Sequence, residues 1–91
     1  MKVVNIKYIG TVGLLTGRLS ETIEIKEMNL IELINELDNR YDGFRKMFLE
    51  SKENKREGLK RLTYLRKSEE PTRVLLDLDY QLEEGDTIVF W

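Results

Sequence analysis

The sequence predicts an α+β domain of two layers, a mixed sheet of four to five short strands with one main helix packed on one face. Three observations predict it. Residues 2–9 and 20–26 alternate apolar and polar side chains at the two-residue period of strands. One capped stretch near residue 30 switches to helical spacing. Beyond Gly58, short apolar runs are separated by turn residues. A chain of 91 residues accommodates one such unit, residues 1–91, and is too short to bury two cores.

Taken in order, Val4, Ile6 and Tyr8 fall on one face of the first strand and Val3, Asn5, Lys7 and Ile9 on the other, so the first set is expected inside. Gly10, Gly13 and Gly17 punctuate the next stretch, which reads as a wide loop. Ser20 to Lys26 alternates again around Ile23 and Ile25, giving an antiparallel partner for the first strand. Asn29 is placed to cap a helix by accepting a backbone N–H, with Glu32 in the reciprocal position of a capping box. Leu30, Leu33, Ile34, Leu37 and Tyr41 then mark one buried helical stripe. Gly43 suits the left-handed backbone that ends a helix, and Phe44, Met47 and Phe48 suggest a further turn against the same core. Residues 51–58 hold no apolar anchor and read as a mobile loop.

Lys60 to Arg66, Arg73 to Leu78 and Thr87 to Trp91 read as three short strands, with Glu84-Gly85-Asp86 as the turn before the last. A helix of roughly 12 residues spans about 18 Å, enough to cover one face of such a sheet. The right-handed crossover rule then favours a later strand lying parallel beside the first. That arrangement is the ubiquitin-like β-grasp.

Composition narrows the chemistry. With no Cys and no His, the chain lacks a thiolate nucleophile, a disulfide and an imidazole base, and no zinc cage or other cofactor site is expected. No paired acid and base stand at meaningful spacing, so the expectation is a protein that is not an enzyme. The formal charge of −2 argues against a general nucleic-acid or membrane binder. Asn5 and Lys7 interrupt the first apolar run before a signal-peptide core forms, and no run approaches the roughly 20 residues that span a bilayer, so a cytoplasmic protein is expected. Residues 52–67 hold seven cations against two carboxylates, net +5, leaving −7 for the rest. Without an aromatic ladder beyond Tyr64, that stretch reads as a solvated loop and strand face. The acids from Asp77 to Asp86 lack the glycine of an EF-hand loop, and Gly10 to Gly17 lacks the Gly-Lys-Ser/Thr ending of a phosphate loop.

Three segments carry a resemblance: Leu14-Leu15-Thr16-Gly17-Arg18, the helix end Asn39-Arg40-Tyr41-Asp42-Gly43-Phe44-Arg45, and the run from Leu75 through Leu82-Glu83-Glu84-Gly85-Asp86 to Trp91. With these the chain resembles the MoaD/ThiS-like family, which comprises the small subunit of molybdopterin synthase and its sulfur-carrier relatives. The third segment is the most specific. The resemblance implies a β-grasp whose C-terminal Gly-Gly tail is adenylated and converted to a thiocarboxylate. Here the sequence stops at Trp91, so no residue receives that role, and Gly13 stands where the resemblance implies a basic, partner-facing residue. The expectation is a non-catalytic interaction module associated with molybdenum- or tungsten-cofactor or sulfur-transfer pathways. The alternative is a sulfur carrier or ubiquitin-like modifier activated at its C-terminus by an adenylyltransferase.

The expected site follows from the strand period. If Ile88 and Phe90 point inward, Val89 and Trp91 lie on the opposite face, joined by Ile9 and by Leu75, with Val74, Leu76 and Leu78 turned in. Ile9, Leu75, Val89 and Trp91 would form an exposed partner-binding patch rimmed by Lys7, Arg73 and Asp77, unless the second helical segment covers it. The resemblance implies that this face docks a protein such as the large subunit of molybdopterin synthase or an activating adenylyltransferase. An exposed last strand would equally support self-association.

Overall fold

The structure, a computed structural model, describes residues 1–51 and 57–91; the remainder of the stretch expected as a mobile loop lies outside the described residues. Strand β1 (Lys2–Tyr8) alternates as its sequence requires, with Val4, Ile6 and Tyr8 fully buried. The expected wide loop is in part a short helix, α1 (Thr11–Thr16), which seats Val12 in the core. Gly17 closes it: a left-handed backbone (φ 74°) lets the Gly17 N–H donate to the Gly13 carbonyl at 2.9 Å. Strand β2 (Ser20–Ile25) returns antiparallel to β1, with Ile23 opposite Val4.

Helix α2 (Leu30–Arg40) starts at the predicted capping box. The Asn29 side chain accepts from the Glu32 N–H, and the Glu32 carboxylate accepts from the Asn29 N–H, each at 3.0 Å. Its stripe of Leu30, Leu33, Ile34 and Leu37 is buried against the sheet. The helix stops at Arg40, and Tyr41 is already extended. Gly43 does adopt a left-handed backbone (φ 94°), but there it opens α3 (Phe44–Phe48). The rings of Phe44 and Phe48 stack at 4.9 Å, and both meet the Phe90 ring edge-on at 5.1 and 4.9 Å. Fully burying one such side chain contributes about 1.5–3 kcal/mol.

Strands β3 (Leu49–Ser51) and β4 (Glu57–Leu59) form a two-stranded ribbon, so the ends of the expected loop are paired backbone. Strands β5 (Thr63–Arg66), β6 (Arg73–Val74) and β7 (Thr87–Phe90) complete the main sheet, in the order β2-β1-β7-β5-β6. Strand β7 is parallel to β1 and antiparallel to β5, which is the ubiquitin-like β-grasp that the sequence predicts. Two expectations are corrected. Strand β7 lies at the centre of the sheet and its backbone is paired on both sides, so it offers no free edge for self-association; the edges are β2 and β6. The strand expected over residues 73–78 is only Arg73–Val74, because the chain bends away once Leu75 has donated its N–H to the Thr63 carbonyl at 2.7 Å.

Candidate functional site

Helices α2 and α3 contribute to one core on the inner face of the sheet, and α3 turns Phe44 and Phe48 into that core. The second helical segment therefore leaves the outer face uncovered. Register assembles that face strand by strand: Lys7 of β1, Val89 of β7, Tyr64 of β5 and Val74 of β6 stand side by side in one row. Beyond the row, the Ile9 N–H donates to the Phe90 carbonyl at 2.9 Å and the Trp91 N–H to the Leu62 carbonyl at 3.1 Å. These bonds carry the ladder past the strand ends. A groove of about 530 Å³ results, whose lining includes Ile9, Leu62, Val74, Leu76 and Trp91 together with Lys60 and Arg61.

Of the four residues expected to form the patch, three are where the strand period puts them. Trp91 is 47% exposed in the groove, Ile9 lines the groove half-buried, and Val89 is half-buried in the adjoining row. Leu75 also lines the groove, but its expected exposure is corrected. It is 4% exposed and belongs to the core cluster, while its neighbours Val74 and Leu76 are the exposed pair. The phase is reversed because register, set by Tyr64 opposite Val74, turns Val74 outward and Arg73 toward the helix side, where the guanidinium sits 5.9 Å over the Tyr80 ring.

Leu62, Val74 and Leu76 were not anticipated. Counting two residues at a time from outward Tyr64 would have found Leu62, which is 54% exposed, whereas Leu76, at 79%, lies beyond any strand and carries no periodic signal. Arg61 fixes one side of the groove. Its Nε donates to the Trp91 carbonyl at 2.7 Å and its Nη2 to the Thr11 hydroxyl at 3.1 Å, with the guanidinium 5.8 Å above the Phe48 ring. A groove so lined offers no acid–base pair; what it can do is desolvate an apolar side chain brought by another molecule.

The two principal polar clusters lie elsewhere and are structural. Glu21, opposite Ile6, accepts from the hydroxyls of Tyr8 and Tyr41, each at 2.5 Å, and is approached by Arg18 and Arg40. Desolvation works to raise its carboxyl, but the two hydroxyls and two guanidinia outweigh it and hold it below the usual carboxylate range. Burial, followed by the bond to Glu21, raises the Tyr8 phenol. Asp86, buried at the turn before β7, accepts from Lys67 Nζ at 2.7 Å, the Tyr80 hydroxyl at 2.7 Å and the Glu83 N–H at 2.9 Å. Partial burial would lower the Lys67 ammonium, yet its bonds to Asp86 and Glu83 leave it above the usual lysine range. Among the described residues, no group of three or more acids could hold a metal ion, and no helix is long and apolar enough to cross a membrane.

No family model matches the chain, and no curated protein matches it. Solved structures do. One, described as molybdopterin converting factor, subunit 1, from Pyrococcus furiosus, superposes with a TM-score of 0.72 at 21% identity, covering 99% of this chain and 95% of the other. SAMP1 from Haloferax volcanii superposes with a TM-score of 0.66 at 10% identity, covering 98% and 92%. At these identities the likeness shows a shared fold, the ubiquitin-like β-grasp of MoaD-like proteins, over nearly the whole chain.

Proposed function

We propose that the chain is a non-catalytic docking module that binds another protein through the outer wall of its sheet. The observation that carries this reading is the groove at the end of β7, where Leu62, Val74, Leu76 and Trp91 stand exposed together although the chain has a core of its own in which to bury leucine and tryptophan. An exposed apolar cluster of this kind marks a surface that another molecule dries. The fold shared with a molybdopterin converting factor subunit and with SAMP1 supports a sulfur-carrier or ubiquitin-like role. It also favours, as the partner, the large subunit of molybdopterin synthase or an activating adenylyltransferase, within molybdenum- or tungsten-cofactor or sulfur-transfer metabolism.

The test is site-specific photo-cross-linking in extract of the source organism. A benzoylphenylalanine at Leu76 should give a discrete adduct containing a synthase subunit or an adenylyltransferase. The same probe at exposed Asn39 on α2 should not, and Trp91→Ala should remove the Leu76 adduct. Equal adducts from both positions would place the partner elsewhere. The carrier reading, favoured by the same fold likeness, predicts an ATP-dependent adenylate on the chain by mass spectrometry when the activating enzyme is added. An adduct without adenylation leaves docking alone.

A further inference from the structure

We infer that the surface received by the groove at Trp91 belongs to a protein that presents an apolar side chain ringed by carboxylates. This rests on the docking reading and adds the partner's chemistry. The chain as a whole is acidic, with 17 acids against 15 bases, yet the charged residues that line the groove, Lys60 and Arg61, are both cations. Lys7 and Arg66 extend the same sign along the outer wall, Lys7 beside Val89 and Arg66 beside Thr87.

Among the described residues, cations without an acidic partner also occur elsewhere, at Lys26 and Lys46; what sets the outer wall apart is that such cations gather around an apolar groove. Lys2, Arg18, Arg40 and Lys67 each have a carboxylate within 4 Å. Among the described residues, Lys7, Lys60 and Arg66 pair with no carboxylate, and Arg61 with no acidic side chain. Arg61 instead donates to the Trp91 main-chain oxygen and to the Thr11 hydroxyl. One acid, Asp77, follows the groove residue Leu76 in the chain and is outnumbered by the cations Lys7, Lys60, Arg61 and Arg66.

Cations left unpaired around an apolar depression attract and orient a partner of opposite sign, and they repel a partner of the same sign. That decides among occupants. A second copy docked through the same face would set these cations against themselves, since a two-fold interface is self-complementary by construction. A concave site also suits an inserted side chain better than a flat bilayer, toward which the acidic chain is repelled as a whole.

The probes are two synthetic hexapeptides with one apolar centre, Asp-Glu-Leu-Phe-Asp-Glu and Lys-Lys-Leu-Phe-Lys-Lys, titrated to millimolar concentration into the full ¹⁵N-labelled chain. The acidic peptide should shift the Trp91 indole resonance and the amides of Ile9, Leu62 and Leu76, and should bind at least tenfold more weakly in 0.5 M NaCl. A Lys60→Glu, Arg66→Glu variant, whose spectrum reports its folding, should lose at least tenfold for the acidic peptide and gain for the basic one. Equal binding of both peptides, no shift from either, a dimer abolished by Trp91→Ala, or sedimentation with phosphatidylserine vesicles would each overturn the inference. If any of these occurs while the Leu76 cross-link persists, docking stands and only the partner's charge is wrong; loss of that cross-link is failure of the docking reading itself.

Discussion

The inner and outer faces of the five-stranded sheet are written by the same strands, one residue out of step, and meet different fates. On the inner face Val4, Ile6, Tyr8, Leu65, Ile88 and Phe90 are closed off under α2 and α3. On the outer face Lys7, Val89 and Tyr64 alternate with them, and no helix lies over Val74 or Trp91. The difference teaches that apolar content alone does not locate a core. What decides is which side the helices take, and the side they leave open keeps Leu62, Leu76 and Trp91 exposed.

The sharpest way to break this comparison is at adjacent residues. Leu75→Ala should cost about 2–4 kcal/mol in urea unfolding, because it empties a core position, whereas Leu76→Ala should stay within about 0.5 kcal/mol. Equal effects would mean that the two faces are not distinguished as described. A smaller effect of opposite sign is expected at Thr63, opposite Phe90, whose buried hydroxyl finds no hydrogen-bond partner. Thr63→Val should raise stability by about 1 kcal/mol, since it removes an unsatisfied polar atom and keeps the shape; a loss would show that a water satisfies it.

The smallest effect concerns acid. Glu21 titrates lower in the folded chain than its ordinary 4.5, so its contribution is fully present above about pH 4.5 and is lost as pH falls through the lower folded value. Glu21→Gln should therefore be less stable than the parent at pH 7, and the gap should narrow on acidification to pH 3. A constant gap across that range would remove the carboxylate from the account.

Local rules carried the fold. The alternation of Val4, Ile6 and Tyr8, the Asn29–Glu32 box and the turn ahead of Thr87 each depend on a few neighbouring residues, and all three stand in the structure. The site was half legible for the same reason. Val89 inherits its side from inward Phe90 within one strand, and Trp91 continues the alternation one residue beyond it. Leu75 does not, because a two-residue strand is too short to propagate alternation, and the pairing of Tyr64 with Val74 sets the phase from a distant part of the chain. Helix α1 was hidden by its glycines, which read as punctuation although six residues between Gly10 and Gly17 are helical.

The central position of β7 also governs how the molecule is made. Ile6 lies beside Ile88, so the middle of the sheet requires closing a loop of about 80 residues. Until then the amino-terminal hairpin has no parallel neighbour, although β5 can already pair with β6 and β7. Assembly is therefore dominated by distant pairings and should proceed more slowly than in a helical bundle of this size. For as long as it lasts, the nascent hairpin presents an open rail on which a chaperone, or a stray strand, can settle.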